Sequence, residues 1–225
     1  DLILENANFN LNKKNYKFFL KLMNKSFQDG NLEVKNSNIF FRNSADEVLF
    51  INKILRMKYY YETKELKNIL YSENEIFNIP FSLESFFNQD KNKIFSQINL
   101  NLLKLKIENE LDFKNEKKIG NSQLILNKSK RIVEYQIETN GLNFYIFDKI
   151  DDPNISYKGK FNFKPFYGNI DGNLDEINLD YLFGSNAIIV QILKTEIFNN
   201  KNIDFKLNIN ADNVYNNSNF KNINF

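Results

Sequence analysis

The sequence predicts a mainly β chain with a few helices. Its core is expected to be a long antiparallel sheet with an apolar interior, curled into an open, taco-like groove, closed as a partial barrel or packed as a sandwich. Three observations carry this. Apolar and polar residues alternate with period two along most of the 225 residues. Only 7 Gly and 3 Pro punctuate the chain, so strands run long before they turn. Helical spacing is confined to three short stretches, too little helix to cover the apolar face of so much strand.

Taken in order, Leu2-Ile3-Leu4 reads as the interior of a strand, and Ala7, Phe9 and Leu11 make a short alternating set. Leu32 and Val34 lead through Asn36-Ser37 to Ile39 and Phe41. Leu49, Ile51, Leu55, Met57, Tyr59 and Tyr61 share one parity and predict one face of a strand about a dozen residues long. Phe77, Ile79, Phe81 and Leu83 come next. Pro80 falls on the opposite face and lacks a donor, which suggests an edge or a bulge.

The stretch "FSQINLNLLKLKIENELDF", Phe95 to Phe113, contains neither Gly nor Pro. Ile98, Leu100 and Leu102 alternate, the pattern stutters at Leu102-Leu103, and Leu103, Leu105 and Ile107 resume it, with Leu111 and Phe113 beyond. As one strand, Ile98 to Phe113 would span roughly 50 Å at about 3.3 Å per residue. The double Leu then reads as a bulge that curls the sheet. Further on, Val133, Tyr135 and Ile137 alternate with Glu134, Gln136 and Glu138. Asn140-Gly141 is a hairpin signal leading to Leu142, Phe144 and Ile146. Ile155, Tyr157, Phe161 and Phe163, then Phe205, Leu207, Ile209 and Ala211, complete the pattern.

The helical stretches are Lys13 to Lys25, Lys64 to Tyr71 and about Ser185 to Phe198, with Ser185 as N-cap. The first is amphipathic, with Tyr16, Phe19, Leu20 and Met23 on one stripe and lysines on the other. A lysine-rich helix of this kind can lie on an anionic membrane surface, but capping the end of a sheet is the favoured reading.

Composition removes several function classes. There is no His, which rules out imidazole bases, His-containing catalytic triads and His-ligated metals. There is no Cys, hence no disulfide or thiolate site. Thirty basic and 28 acidic residues give a net charge of +2, well mixed along the chain, so no basic face for a phosphate backbone is expected and nucleic acid is not a partner. No cofactor is called for. Asn occupies about 40 positions, evenly spread, which reflects base-composition bias rather than a low-complexity tract.

Glu108, Glu110 and Asp112 lie on one strand face at a spacing that carboxylate catalysis can use, yet the face has the character of a solvated wall. "NIDGNLDE", Asn169 to Glu176, looks like a calcium loop but fails the ligand order around Gly172, and a plain Asp-Gly turn is expected. No apolar run approaches the ~18 residues of a membrane span. No linker divides the chain, so 1–225 reads as a single β-groove segment of a longer protein, with sub-units at 1–83 and 84–225.

Two regions carry a family resemblance. "GNLEVKNSNIFFRN", residues 30–43, resembles the recurring G-x-L-x-I-x-N-G-x-I-x-F/Y-x-D/N strand-turn-strand of AsmA-like proteins, with Ser37 standing where the family often has Gly. The strand Val48 to Tyr61 and "IPFSLE", Ile79 to Glu84, fit the same layout. "YKGKFNFKPFYGNIDGNLDEINLDYL", Tyr157 to Leu182, is similar to the family's late G-K-I-x-L-K-P-F segment. The helix at 185–198 and "NIDFKLNINADNVYN" are similar to the next segment of that family.

The resemblance implies a section of a periplasmic β-groove of the AsmA and TamB type, tethered to the inner membrane through segments outside this sequence. Such grooves conduct phospholipids towards the outer membrane without catalysis. Acyl chains would then lie against Leu49, Ile51, Phe77, Ile79, Phe81, Leu103, Leu105, Ile107, Val133, Tyr135, Ile137, Phe205, Leu207 and Ile209. Without the resemblance, the alternation also allows a closed-core β-sandwich serving as a structural or adhesin-like binding module. It allows an outer-membrane barrel too, against which the lack of Trp girdles counts.

Overall fold

The fold is taken from a computed structural model that describes all residues except 13–14, 16–30, 44, 89–90, 113–117, 127–128, 139–140, 149–155, 164–165, 180–187, 196, 198–200, 202–203, 216–218 and 225. The chain is mainly β, as its alternation predicts, and separates into two compact units, Asp1–Glu116 and Lys117–Phe225. The 83/84 division suggested by the sequence falls inside a strand.

In the first unit the strands are β1 (Leu2–Glu5), β2 (Asn8–Leu11), β3 (Leu32–Arg42), β4 (Val48–Glu62), β5 (Lys67–Ile76), β6 (Ile79–Asn88), β7 (Lys93–Leu100) and β8 (Leu105–Asp112). From β3 to β8 each strand pairs antiparallel with the next. β1 and β2 both run parallel to β3, end to end along its free edge. The break between them at Asn6 (φ 54°) matches a break in β3 at Asn36 (φ 45°). Ser37 seals it, its hydroxyl accepting from the Ala7 amide at 3.0 Å and donating to the Lys35 carbonyl at 2.7 Å. A serine at this position therefore has a bonding role of its own.

The second unit comprises β9 (Lys118–Leu126), β10 (Ser129–Ile137), β11 (Gly141–Asp148), β12 (Ser156–Phe163), β13 (Phe166–Asn178), a short helix α1 (Ile188–Leu193), β14 (Asp204–Tyr215) and β15 (Asn219–Asn224). Neighbours are again antiparallel, except that β13 and β14 run parallel. A parallel pair needs a crossover, and residues 179–203, which include α1, supply it. In neither unit, among the described residues, does the last strand pair back onto the first, so each sheet is open. Each unit has its own buried cluster: Leu32, Val34, Ile54 and Tyr59 in the first, Ile177, Ile209, Ala211 and Val214 in the second.

Several expectations are corrected. The stretch Phe95–Phe113 is not one long strand but a hairpin, β7 and β8, each eight residues. The stutter Asn101–Leu103 is a 3₁₀ turn. Leu100 pairs with Leu105 across it. Lys104 closes it in the left-handed region (φ 50°, ψ 35°), its amide donating to the Asn101 carbonyl at 3.1 Å. Genuinely long strands occur elsewhere: β4 has 15 residues and β13 has 13. The helix expected at Lys64–Tyr71 is a turn followed by the start of β5. The Asp171-Gly172 turn is instead the middle of β13.

Pro80 lies in an interior strand, opposite Glu75. The β6–β7 pairing ends at Ser82↔Asn99, so Pro80 has no partner on that side and its missing donor costs nothing. Of the helix expected near 185–198, α1 is the described part. The amphipathic stretch 13–25 lies outside the described residues apart from Asn15.

Candidate functional site: one apolar face on each unit

Strand register decides which side chains share a face. In the first unit one row runs Val34, Met57, Ser72, Leu83, Ile98, Ile107 across six strands. The next runs Leu32, Tyr59, Leu70, Ser85, Ser96, Asn109. A third, shorter set brings Phe81 beside Asn74 and Leu100 beside Leu105. Ile79 and Phe81 therefore join Leu105 and Ile107 on a single face, as the alternation predicts.

Leu49, Ile51, Phe77 and Leu103 are placed differently. In β4 the register shifts between Ile54 and Arg56, with Leu55 as the extra residue. Tyr59 and Met57 stay on the apolar face, but below the bulge Ile54, Asn52 and Phe50 continue it. Ile51 and Leu55, 39% and 51% exposed, turn to the other side. Leu49 is the extra residue of a second register shift, opposite Phe41 and Arg42, so it belongs to neither row. Phe77 (φ 53°) and Asn78 (φ 61°) form the two-residue turn between β5 and β6, where both positions need positive φ. The Phe77 ring rests against Phe50, 5.9 Å between centroids. Leu103 is buried within the 3₁₀ turn rather than along a strand.

The interior of this unit is not uniformly greasy. Ser37, Asn52, Ser72, Asn74 and Ser85 are all buried. Buried polar groups demand partners, and most have them. The Asn52 amide donates to Asn74 at 3.3 Å, Asn74 donates to Ser72 at 2.7 Å, and Ser85 lies 2.9 Å from Ser96.

The second unit holds three rows of six on one face. They are Gly120, Tyr135, Phe144, Gly159, Ile170, Leu207; then Ser122, Val133, Ile146, Tyr157, Gly172, Ile209; then Lys118, Ile137, Leu142, Phe161, Gly168, Phe205. All six sequence-predicted residues here, Val133, Tyr135, Ile137, Phe205, Leu207 and Ile209, fall on it. Missed by the alternation are the glycines, each facing an aromatic ring across the ladder. A Cβ at Gly172 would come within 2.6 Å of the Tyr157 ring and one at Gly168 within 2.7 Å of Phe205. At Gly120 and Gly159 it would collide with Tyr135 and Phe144. The rings lie over bare backbone. Phe144 and Phe161 stack at 5.5 Å, and Phe205 sits a further 6.4 Å along. The signal is present in the sequence as Gly inside strand patterns, but its aromatic partner is set by register alone.

Burial raises the phenol pKa of Tyr59 and of Tyr157 above the ordinary value of 10.0, with Arg131 pulling Tyr157 partly back. At the end of the rows Phe205 and Leu207 stay 38% and 43% exposed.

The opposite face of the first unit carries paired charges beside an aromatic and apolar row, Tyr60, Ile69, Phe86 and Phe95, in which Ile69 is buried and the two Phe rings stack at 5.2 Å. Its charged rows run Glu33, Lys58, Tyr71, Glu84, Gln97, Glu108 and Lys35, Arg56, Glu73, Ser82, Asn99, Lys106. Glu110 pairs with Lys93, and Glu108 with Lys106 at 2.6 Å. Carboxylates neutralised by neighbouring lysines on an open surface match the solvated wall expected for this stretch. Among the described residues no cluster of acidic side chains could hold a metal ion. No helix among them is long and apolar enough to cross a membrane. Comparison with known proteins returned no match to this chain among family models, curated proteins or solved structures.

Proposed function

We propose that the chain is a segment of a lipid-conducting β-groove of the AsmA type, binding phospholipid acyl chains along its apolar face and performing no catalysis. It would work in the periplasm, between inner and outer membrane, tethered to the inner membrane by segments outside this sequence. One observation carries the reading. In the second unit rows that are mostly apolar cross six consecutive strands of an open sheet and end on the exposed Phe205 and Leu207, and in the first the row from Val34 to Ile107 crosses six strands with Ser72 as its one polar member.

The test is lipid extraction and native mass spectrometry of the purified chain, with Leu207→Arg and Ile107→Arg beside it. Phospholipid should co-purify with the parent protein. Leu207→Arg should lose most of it while keeping the parent's circular dichroism, because the side chain is already open to solvent. Lipid-free parent protein, together with unfolding of Ile107→Arg by a buried unpaired charge, would instead establish a closed core.

A further inference from the structure

On the charged face of the first unit, opposite the apolar rows, Asn31, Arg56, Lys58, Tyr60 and Tyr71 line a cleft of about 330 Å³, near the lower end of the range for small-molecule sites. Around it, charges are consumed by neighbours. Glu33 stands directly across from Lys58, yet it is taken by Arg56 at 3.4 Å and Lys35 at 3.5 Å. On the other side Lys58 meets Tyr71, whose hydroxyl donates to Glu73 at 2.9 Å. Among the described residues Lys58 makes no ion pair and the Tyr60 hydroxyl no hydrogen bond, although both side chains are half-buried. Among the described residues the cleft lining thus offers Lys58 as an unpaired cation, Arg56 as a second cation shared with Glu33, no carboxylate, two phenol rings as walls, and the Asn31 side-chain amide and Tyr60 hydroxyl as unspent polar groups; the Asn31 backbone amide is already held by the Asp1 carboxylate at 3.0 Å.

We propose that this cleft binds an acidic sugar: a phosphate or carboxylate held by Lys58 and Arg56, with the sugar ring against Tyr60 and Tyr71 and its hydroxyls on Asn31 and Tyr60. Charge-assisted hydrogen bonds supply the affinity, and the rings present apolar faces with polar rims. The volume admits one monosaccharide unit, free or at the end of a polymer. The site is independent of the lipid reading, since it uses the other face of the sheet.

The experiment is calorimetric titration of the full chain with glucose 1-phosphate, glucose, inorganic phosphate and a short uronic-acid oligosaccharide. Glucose 1-phosphate should bind with Kd of about 1 mM or tighter, and glucose and phosphate each about tenfold more weakly. The oligosaccharide arm tells a polymer end from a free sugar. Lys58→Gln should weaken binding about tenfold or more, as should Arg56→Gln, whose side chain is 51% exposed and whose loss leaves the fold intact. Lys106→Gln, outside the cleft, should not. No saturable binding of either acidic sugar up to about 10 mM, phosphate binding as tightly as the sugar phosphate, or unchanged affinity in both cleft variants overturns the proposal.

Discussion

A side chain can be defined by what it lies on. Tyr135, Phe144, Tyr157 and Phe161 each face a glycine across the ladder, and the missing Cβ is the space the ring occupies. The four positions are not equally tolerant. At Gly172 only the Tyr157 ring is in the way, and it can rotate. At Gly159 the added carbon also meets the Asn169 carbonyl at 2.7 Å, which is backbone. Gly159→Ala should therefore cost about 1–3 kcal/mol and Gly172→Ala clearly less, read from urea midpoints at constant slope. The buried phenols give a second expectation. Folded Tyr59 and Tyr157 hold their protons above pH 10, where the unfolded chain releases them. Above that pH the unfolded state binds fewer protons, so the contribution of these two phenols to stability is constant below about pH 10 and falls beyond it. Thermal unfolding between pH 8 and 11.5, with tyrosinate absorbance recorded in parallel, checks both the direction and the window.

Turns and phase shifts are the elements that alternation conceals. The β7–β8 reversal has no Gly, Pro or Asn-Gly pair; its marker is a break in parity at Leu102-Leu103, which a bulge would produce equally well. Lys104 supplies the left-handed residue, an uncommon choice for a side chain with a Cβ. Lys104→Gly should accordingly stabilise the protein by about 0.5–1 kcal/mol, and Lys104→Val should destabilise it by a similar or larger amount. A chemical denaturation series settles both. The same blind spot explains Leu49 and Ile51. Parity is a faithful guide to facing only between bulges; Leu55 lies between Ile51 and Met57, and Leu49 is itself the extra residue of a second shift. Where register is unbroken, as from Val133 to Ile137 or Phe205 to Ile209, every residue expected on the apolar face is there. Lys64–Tyr71 misled for another reason: short helical spacing and a turn entering a strand look alike over eight residues.

For the molecule as a whole, the mainly β class was legible because it rests on counts: much alternation, few breakers, little helix; openness was not, because the same alternation suits a closed sandwich or barrel. What the faces touch was not legible, since an apolar face looks the same whether it meets lipid or another sheet. The two buried clusters share no residue and sit in different units. Val34→Ala and Val214→Ala remove fully buried methyls and should each cost about 1–3 kcal/mol. Their effects should add to within about 0.5 kcal/mol in the double variant, which paired denaturation curves would show.

The rings laid over glycines have one more consequence. A strand face normally carries relief, with ridges of side chains and hollows between them. Filling each hollow with the flat of a neighbouring ring levels that relief. An acyl chain bound as proposed would meet few notches that fix its register, so its hold would grow with the length in contact and depend little on where along the face it sits. Grip of that kind retains a flexible molecule sideways while leaving it nearly free to travel lengthwise.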